Sequence, residues 1–287
     1  MINKNCTLID NETGEIILDD YKLDINDLKD KLESNDSLDK RKSNDEFYRY
    51  LDEELGSFYF LFYSLIDNGI EPQYIFRFIY LCCYMDYKNR LLFGSAKEEN
   101  RFMTEQDMEE VLKLGKREYQ KTKKSLIEHK LIKINKDNTV SINKKHCIKG
   151  DIPKQKKNDK VRMFEKGIKE IYENSNPREH KKLNILIQIL PYINMQYNII
   201  CKNPYVENRE EIKPITLTEL TELVGYKNTF RLKKDLFKLR VAGQQVVMIV
   251  ETDEGKFITI NPKAYYKGTR VEGMKWLVDA FSIKGGK

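Results

Sequence analysis

The sequence has no long apolar run. Its most apolar tract, Phe58 to Met85, is broken by Asp67, Asn68, Gly69, Glu71, Pro72 and Arg77. Neither half reaches the roughly 20 apolar residues that a membrane-crossing helix needs. Histidine is scarce: His129, His146 and His180 are the only three in 287 residues. None forms a His-x-His pair, which argues against a metal-dependent rolling-circle nickase despite 17 tyrosines. The five cysteines (Cys6, Cys82, Cys83, Cys147, Cys201) are odd in number and hold no Cys-x-x-Cys pair. That pattern predicts free thiols in a reducing cytoplasm rather than disulfides or a clustered metal site. Cys82 and Cys83, in an apolar helical run, read as buried thiols. No G-x-x-x-x-G-K-[ST] phosphate loop and no G-x-S-x-G elbow occurs, which removes the usual signs of an ATPase, helicase or serine hydrolase. Met1 leads into Asn, Lys and a short hairpin rather than a signal peptide. The expectation is a cytoplasmic protein that is not an enzyme, with no cofactor, no catalytic residues and no metal ligands.

Charge of one sign is nearly balanced by the other. Lys and Arg number 51 against 45 Asp and Glu, a net +6. A nucleic-acid surface must then come from local clustering, not from the total. The abundance of Lys, Asn and Ile points to an AT-rich genome, that of a low-GC bacterium or its mobile elements.

What is present is a pattern from Ile215 to Gly268. Thr216 is an N-cap with Glu219 at the capping-box spacing, and Leu217, Leu220, Leu223 and Val224 give one apolar face. Gly225 ends that helix. Tyr226-Lys227-Asn228 turns, and Thr229 opens a second helix with Phe230, Leu232, Leu236, Phe237 and Leu239 as its apolar positions. Val246–Val250 and Phe257–Ile260 read as two strands around a turn. Two helices and a hairpin in that order predict a winged helix, which puts one helix into a major groove.

A second copy lies upstream. Thr104 aligns with Thr216, Met108 with Leu220, Val111 with Leu223, Tyr119 with Phe230, Lys123 with Lys234 and Leu126 with Phe237. Leu131–Asn135 and Thr139–Ile142 supply its hairpin, and both copies end on Ile-Asn-x-Lys-x-x-x-Lys-Gly, at Ile142–Gly150 and Ile260–Gly268. A match at one register after a matching element pattern favours duplication over chance in a Lys- and Asn-rich chain.

In chain order, Cys6–Asp10 and Glu15–Leu18 predict a hairpin and Leu23–Leu32 a short helix; 33–46 reads as a polar linker. Phe47–Ile66 reads as an aromatic-rich helix interrupted near Gly56, with Phe58, Phe60, Phe62 and Tyr63 as core, and a helix follows from Pro72 to Met85. Lys160–Asn174 and Arg178–Tyr197 read as helices, the latter kinked at Pro191, and Val271–Phe281 as a closing helix. The domains expected are 1–45 (hairpin and linker), 46–150 (first winged helix), 151–160 (basic linker) and 161–287 (second winged helix). The fold class is α+β, mostly helical, with two tandem winged-helix domains.

The hairpin Thr7–Ile17 and the closing Ile-Asn-Pro-Lys-Ala-Tyr-Tyr-Lys-Gly (260–268) resemble winged-helix DNA-binding proteins of Firmicute plasmids and phages, notably RepL-type replication initiators. The resemblance covers the hairpin and each winged-helix segment, and departs from that family in being duplicated. It implies a mobile-element DNA-binding protein at an origin or operator, acting as initiator or transcription regulator.

The DNA-contacting residues expected are Lys116, Arg117, Gln120, Lys121, Lys123 and Lys124 on the first recognition helix, and Lys136 and Asn138 at its wing tip. Lys145 follows in the closing motif; Lys227, Asn228, Thr229, Arg231 and Lys234 in the second copy, with Lys263 and Lys267 after it, complete the set. For any single lysine the plain reading is a solvated face; the recognition-helix position favours DNA. The second wing carries Glu251, Asp253 and Glu254, which phosphates repel, and favours an alternative: a phage adaptor or inhibitor that binds a host protein. The expected partners are double-stranded DNA and host replication or transcription proteins, with no membrane, and the chain as monomer or homodimer. Tandem copies need no two-fold axis, so the expected site is asymmetric or a direct repeat, and the two halves are expected to fold separately.

Overall fold

In a computed structural model, residues 3–9, 16–24, 45–94, 101–152, 160–252, 255–268 and 271–284 are described. The fold is α+β, with more helix than strand. It divides into two compact units, Met1–Tyr50 and Leu51–Lys287. In the first, β1 (Asn3–Ile9) and β2 (Ile16–Asp24) pair antiparallel as the sequence predicts. β2 runs on to Asp24, so Leu23 and Asp24 are strand and not the start of a helix. The rest of that expected helix, the polar linker up to residue 44, the core of the basic linker (153–159) and the tip residues Asp253 and Glu254 lie outside the described residues. Helix α1 spans 45–54.

Past α1 the chain departs from the predicted aromatic helix. Gly56, at φ +76°, turns it, and Phe58–Phe62 is a strand, β3. A 3-10 turn (Tyr63–Asn68) and Gly69 at φ +78° lead to α2 (Pro72–Cys82), opened by a proline whose missing N–H costs nothing there. β4 (Leu92–Phe93) and β5 (Arg101–Phe102) pair antiparallel. Then come α3 (Glu105–Leu112), α4 (Lys116–Glu128), the hairpin β6 (Ile132–Ile134) and β7 (Val140–Ile142), and β8 (Cys147–Ile148).

The second half opens with another strand read from sequence as helix, β9 (Lys160–Phe164), before α5 (Glu165–Glu173). The single helix expected over Arg178–Tyr197 is instead four short pieces. These are a 3-10 turn (Pro177–Glu179), α6 (His180–Leu183), α7 (Ile185–Gln188) and a 3-10 turn (Leu190–Tyr192) that begins around Pro191, which has no N–H to donate. After α8 (Leu217–Leu223) and α9 (Thr229–Leu236), a two-residue hairpin joins β10 (Arg240–Val241) to β11 (Gln244–Gln245) through Ala242 and Gly243, both at positive φ. β12 (Val247–Thr252) and β13 (Gly255–Ile260) form a longer hairpin, and β14 (Tyr265–Tyr266) and α10 (Val271–Lys284) end the described chain.

The two halves meet in one four-stranded antiparallel sheet, ordered β14-β9-β3-β8. At its centre β3 pairs with β9, Phe58 opposite Phe164, Phe60 opposite Arg162 and Phe62 opposite Lys160. On the flanks Phe60 pairs with Ile148 and Leu61 with Cys147, as Arg162 pairs with Tyr266 and Met163 with Tyr265. Exchanging the halves maps this pairing onto itself, so a local two-fold axis passes through the Phe60–Arg162 pair. Arg162 is buried; its Nη1 donates to the Gly268 carbonyl at 2.7 Å, and its guanidinium lies 5.5 Å from the centre of the Phe60 ring. A single hydrophobic cluster takes side chains from both halves, among them Tyr59, Phe78, Met108 and Leu126 with Met163, Ile168, Leu186 and Leu220. Among the described residues the two sides of 151–160 thus share their main cluster, and a smaller one (Ile199, Cys201, Ile212 and Phe257) lies within the second half. β3 is apolar on both faces and every residue of β9 but Lys160 is buried, so neither strand is covered without the other half.

The same hydrogen bonds recur in each half. Thr104 and Thr216 each close a capping box, with Asp107 and Glu219. Lys113 and Gly225, both left-handed, follow those helices. Asn143 Nδ2 donates to the Lys130 carbonyl, and Asn261 Nδ2 to that of Gln245. Their Oδ1 atoms accept from the backbone N–H groups of Lys145 and Lys263. The shared Ile-Asn-x-Lys is thus a turn closed by its asparagine.

Candidate nucleic-acid interface

Helix α4 divides cleanly. Tyr119, Thr122, Ser125 and Leu126 are buried, and the Tyr119 hydroxyl donates to the Glu105 carbonyl at 2.7 Å, tying α4 to α3. Arg117, Gln120, Lys121 and Lys124, at helical spacings of three and four, are all exposed and share the opposite face. Lys116 is exposed beside them. Lys123 is not part of that face: its ammonium pairs with the Glu105 carboxylate and lies 5.9 Å from the Tyr119 ring centre. Ile127, an apolar residue beside the buried Leu126, is 42 % exposed. In the adjoining hairpin Lys136 and Asn138 are exposed at the tip. Asn138 takes φ +63° there, and the Thr139 hydroxyl donates to Asp137 at 2.6 Å.

Helix α9 repeats the arrangement with different side chains. Asn228 caps it, Oδ1 accepting from the Arg231 N–H at 2.9 Å. Its amide oxygen already serves the cap, and its NH2 end points no bond into the helix and can donate to a ligand. Thr229 is half-buried, whereas Lys227, Arg231 and Lys234 are exposed. Leu232 and Leu236 face inward. Phe230, expected in the core, is 78 % exposed. By the caps, Gly115 of α4 corresponds to Asn228 of α9. Tyr119 therefore corresponds to Leu232, and Arg117 to Phe230. The pairing of Tyr119 with Phe230 expected from sequence is two positions out of register: it takes the turn before α9 as one residue shorter than that before α4, and the caps make it one residue longer. Lys233, one of the positive positions of this helix but outside the DNA-contacting set expected from sequence, is exposed at the place of Gln120 when the copies are aligned on their caps.

The remaining candidates sit elsewhere. Lys145 is exposed in the turn after β7, and its carbonyl accepts from Ser64 at 3.3 Å. Lys263 is half-buried in the equivalent turn, and Lys267 is half-buried with its ammonium 4.4 Å from the Tyr205 ring centre and 5.4 Å from that of Tyr63. Lys267 is thus drawn among aromatic rings, not displayed with α9.

The two helices are braced alike. Arg77 of α2 donates through Nη1 to Glu118 at 2.7 Å and to Thr122 at 2.8 Å, both on α4. Lys182 of α6 pairs with Asp235 of α9 at 3.0 Å. Arg77 also crosses to the other half, Nε donating to His180 Nδ1 at 3.2 Å. Burial, and then the Arg77 guanidinium, hold His180 down at about 4, so its ring is neutral at neutral pH and can accept that bond. Tyr172 stacks on Tyr80 at 3.8 Å beside it.

Among the described residues no group of three or more His, Cys, Asp or Glu is placed to hold a metal ion, and no helix is long and apolar enough to cross a membrane. Cys82, Cys83, Cys147 and Cys201 are free and buried. Comparison with family models, with characterised proteins and with solved structures gave no match.

Proposed function

We propose that the chain is a sequence-specific double-stranded DNA-binding protein built from two winged helices, acting at a phage or plasmid origin or operator as replication initiator or transcription regulator. One observation carries the reading: Arg117, Gln120, Lys121 and Lys124, the last 3.8 Å from Glu128, form an exposed polar and cationic face on the second helix of a capped helix pair that is followed by a hairpin. That is where such a fold contacts base edges and phosphates. The second half supports it with Arg231, Lys233 and Lys234 in the corresponding place.

The local two-fold through Phe60 and Arg162 revises the form of the site. Two reading helices so related favour inverted half-sites read by a single chain, in place of the direct repeat expected from tandem copies. The half-sites differ in sequence, because α4 and α9 display different residues. Footprinting on the gene's own neighbourhood, with sedimentation of the complex, tests this. One chain on one inverted site supports it; two chains per minimal site, or no protected site, overturns it.

A second reading, an adaptor that binds a host protein, is favoured by the second wing, where Glu251 is exposed and pairs with Lys256 at 3.1 Å. Absence of any protected DNA, with capture of a defined host protein through this hairpin, would establish it.

A further inference from the structure

Resting on the DNA-binding reading above, we propose that Phe230 reads a thymine, packing its ring on the 5-methyl group in the major groove and so setting the base preference of the second half. Phe230 is the second residue of α9 and is 78 % exposed. Side chains in the first turn of a reading helix are those that reach base edges. Its exposure follows from helix geometry. Leu232 and Leu236 are buried on the inner face, and Phe230 stands about 200° around the helix from Leu232. Lys233 and Lys234, three and four residues on, share the outer face with it, and both are exposed. The ring is held on a fixed turn, because the Asn228 cap binds the Arg231 N–H at 2.9 Å and Leu232 is fully buried.

A large ring left in water on a capped helix and flanked by cations matches a surface that is covered when a polyanion docks. The chemistry of the ring selects what it meets. A phenyl group has no donor or acceptor for the polar edges of guanine, cytosine or adenine, and the apolar group on the major-groove floor is the thymine methyl. In the first half the same place holds Arg117, whose planar fork suits guanine O6 and N7. The two halves then take different bases at equivalent positions.

The test uses the full-length chain. A duplex is first selected from a randomised pool, and each of its thymines is then replaced singly by deoxyuridine, which removes only the methyl. Wild type should lose about four-fold in affinity at one thymine, the loss expected for one methyl-sized apolar contact. Phe230→Ala should bind the parent duplex more weakly and lose the uracil penalty at that thymine, and Phe230→Leu should retain part of it. Circular dichroism of both variants should match wild type, since the ring supports no core. If no thymine shows a methyl effect, or if Phe230→Ala keeps the effect, the inference falls while the DNA reading stands; in that case the ring serves another contact, such as a protein. If no duplex is enriched at all, both fall.

Discussion

Asn89 and Asn198 occupy equivalent places and make the same bond. Each is buried at positive φ, +64° and +48°, and each side-chain Nδ2 donates at 2.7 Å to the carbonyl of a sheet-edge residue, Cys147 for Asn89 and Tyr265 for Asn198. Their own carbonyls accept from Ile142 and Ile260. Each asparagine thus joins a loop to the last strand of its half, in a backbone conformation that asparagine tolerates better than most residues.

An inverted substitution pattern follows at both positions. Asn89→Gly loses only the side-chain bond and should cost about 1–2 kcal/mol. Asn89→Ala adds the left-handed penalty of about 1 kcal/mol and should be the less stable of the two, with the same order at Asn198. Urea denaturation with unchanged slope measures it. Alanine equal to or better than glycine at both sites would remove this account.

Arg77 should tolerate hydrophobic replacement better than truncation. Removing it leaves no stranded buried charge, because the Glu118 side chain is 40 % exposed. Arg77→Ala should destabilise by about 2–4 kcal/mol through the cavity and the unpaired His180 Nδ1, whereas Thr122 keeps its bond to the Glu118 carbonyl. Arg77→Met refills the space along the side-chain stem and should cost clearly less. Thermal unfolding of both variants gives the comparison; equal losses would mean that the polar bonds, not the packing, hold the joint.

Acid should loosen both capping boxes. The Arg101 guanidinium, with further bonds from Thr104, holds Asp107 at about 2, and Lys202, then Thr216, holds Glu219 at about 2. Both folded values lie below the ordinary carboxylate range. The associated stability is therefore complete above about pH 4 to 5 and is lost as pH falls through about 2. Asp107→Asn should flatten the fall in unfolding free energy between those limits while changing little of its pH dependence above pH 6. An unchanged acid limb in this variant would show that the carboxylate is not linked to folding.

On DNA, lysines of one helix should behave differently. Lys121→Ala with Lys124→Ala should weaken binding to all sequences and lower the salt slope by roughly one unit for each phosphate no longer neutralised. Lys123→Ala should leave the slope unchanged, since that ammonium is held by Glu105, and should show itself instead as a small loss of stability. A larger slope change from Lys123 than from the pair would mean that the exposed face of α4 is not the one that meets phosphate.

Cutting the chain within 153–159 should not release two folded halves. Each fragment carries a central strand, β3 or β9, whose partner lies on the other fragment. Singly expressed fragments should lack cooperative unfolding, and mixing them should restore it, as followed by near-ultraviolet circular dichroism. A folded fragment on its own would overturn the shared-core account.

The capping boxes, the hairpins and the Ile-Asn-x-Lys turns are legible in the sequence, because each is fixed by residues a few positions apart. The central strands are not. Phe58–Phe62 is apolar at every position because it is covered on both faces, and such a run lacks the alternation that separates strand from helix. Val161 and Phe164, three apart, imitate a helical face within β9. Alignment of the two copies by pattern alone misplaces Phe230 by two positions, about 200° of helix, which exchanges the inner face for the outer one. The joint at Arg77 and His180 brings together residues about a hundred positions apart, a separation at which local pattern is silent.

The self-exchanging pairing of β3 with β9 has a consequence for dilution. Where two identical subunits meet to make such a sheet, the pair dissolves once concentration falls below its dissociation constant. Here the two sides belong to one polymer, so their encounter has a fixed local concentration however few molecules are present. Identity of the two sides is no longer enforced either. A change in one subunit of a symmetric dimer occurs twice, whereas here Arg117 and Phe230 can occupy matching places and differ.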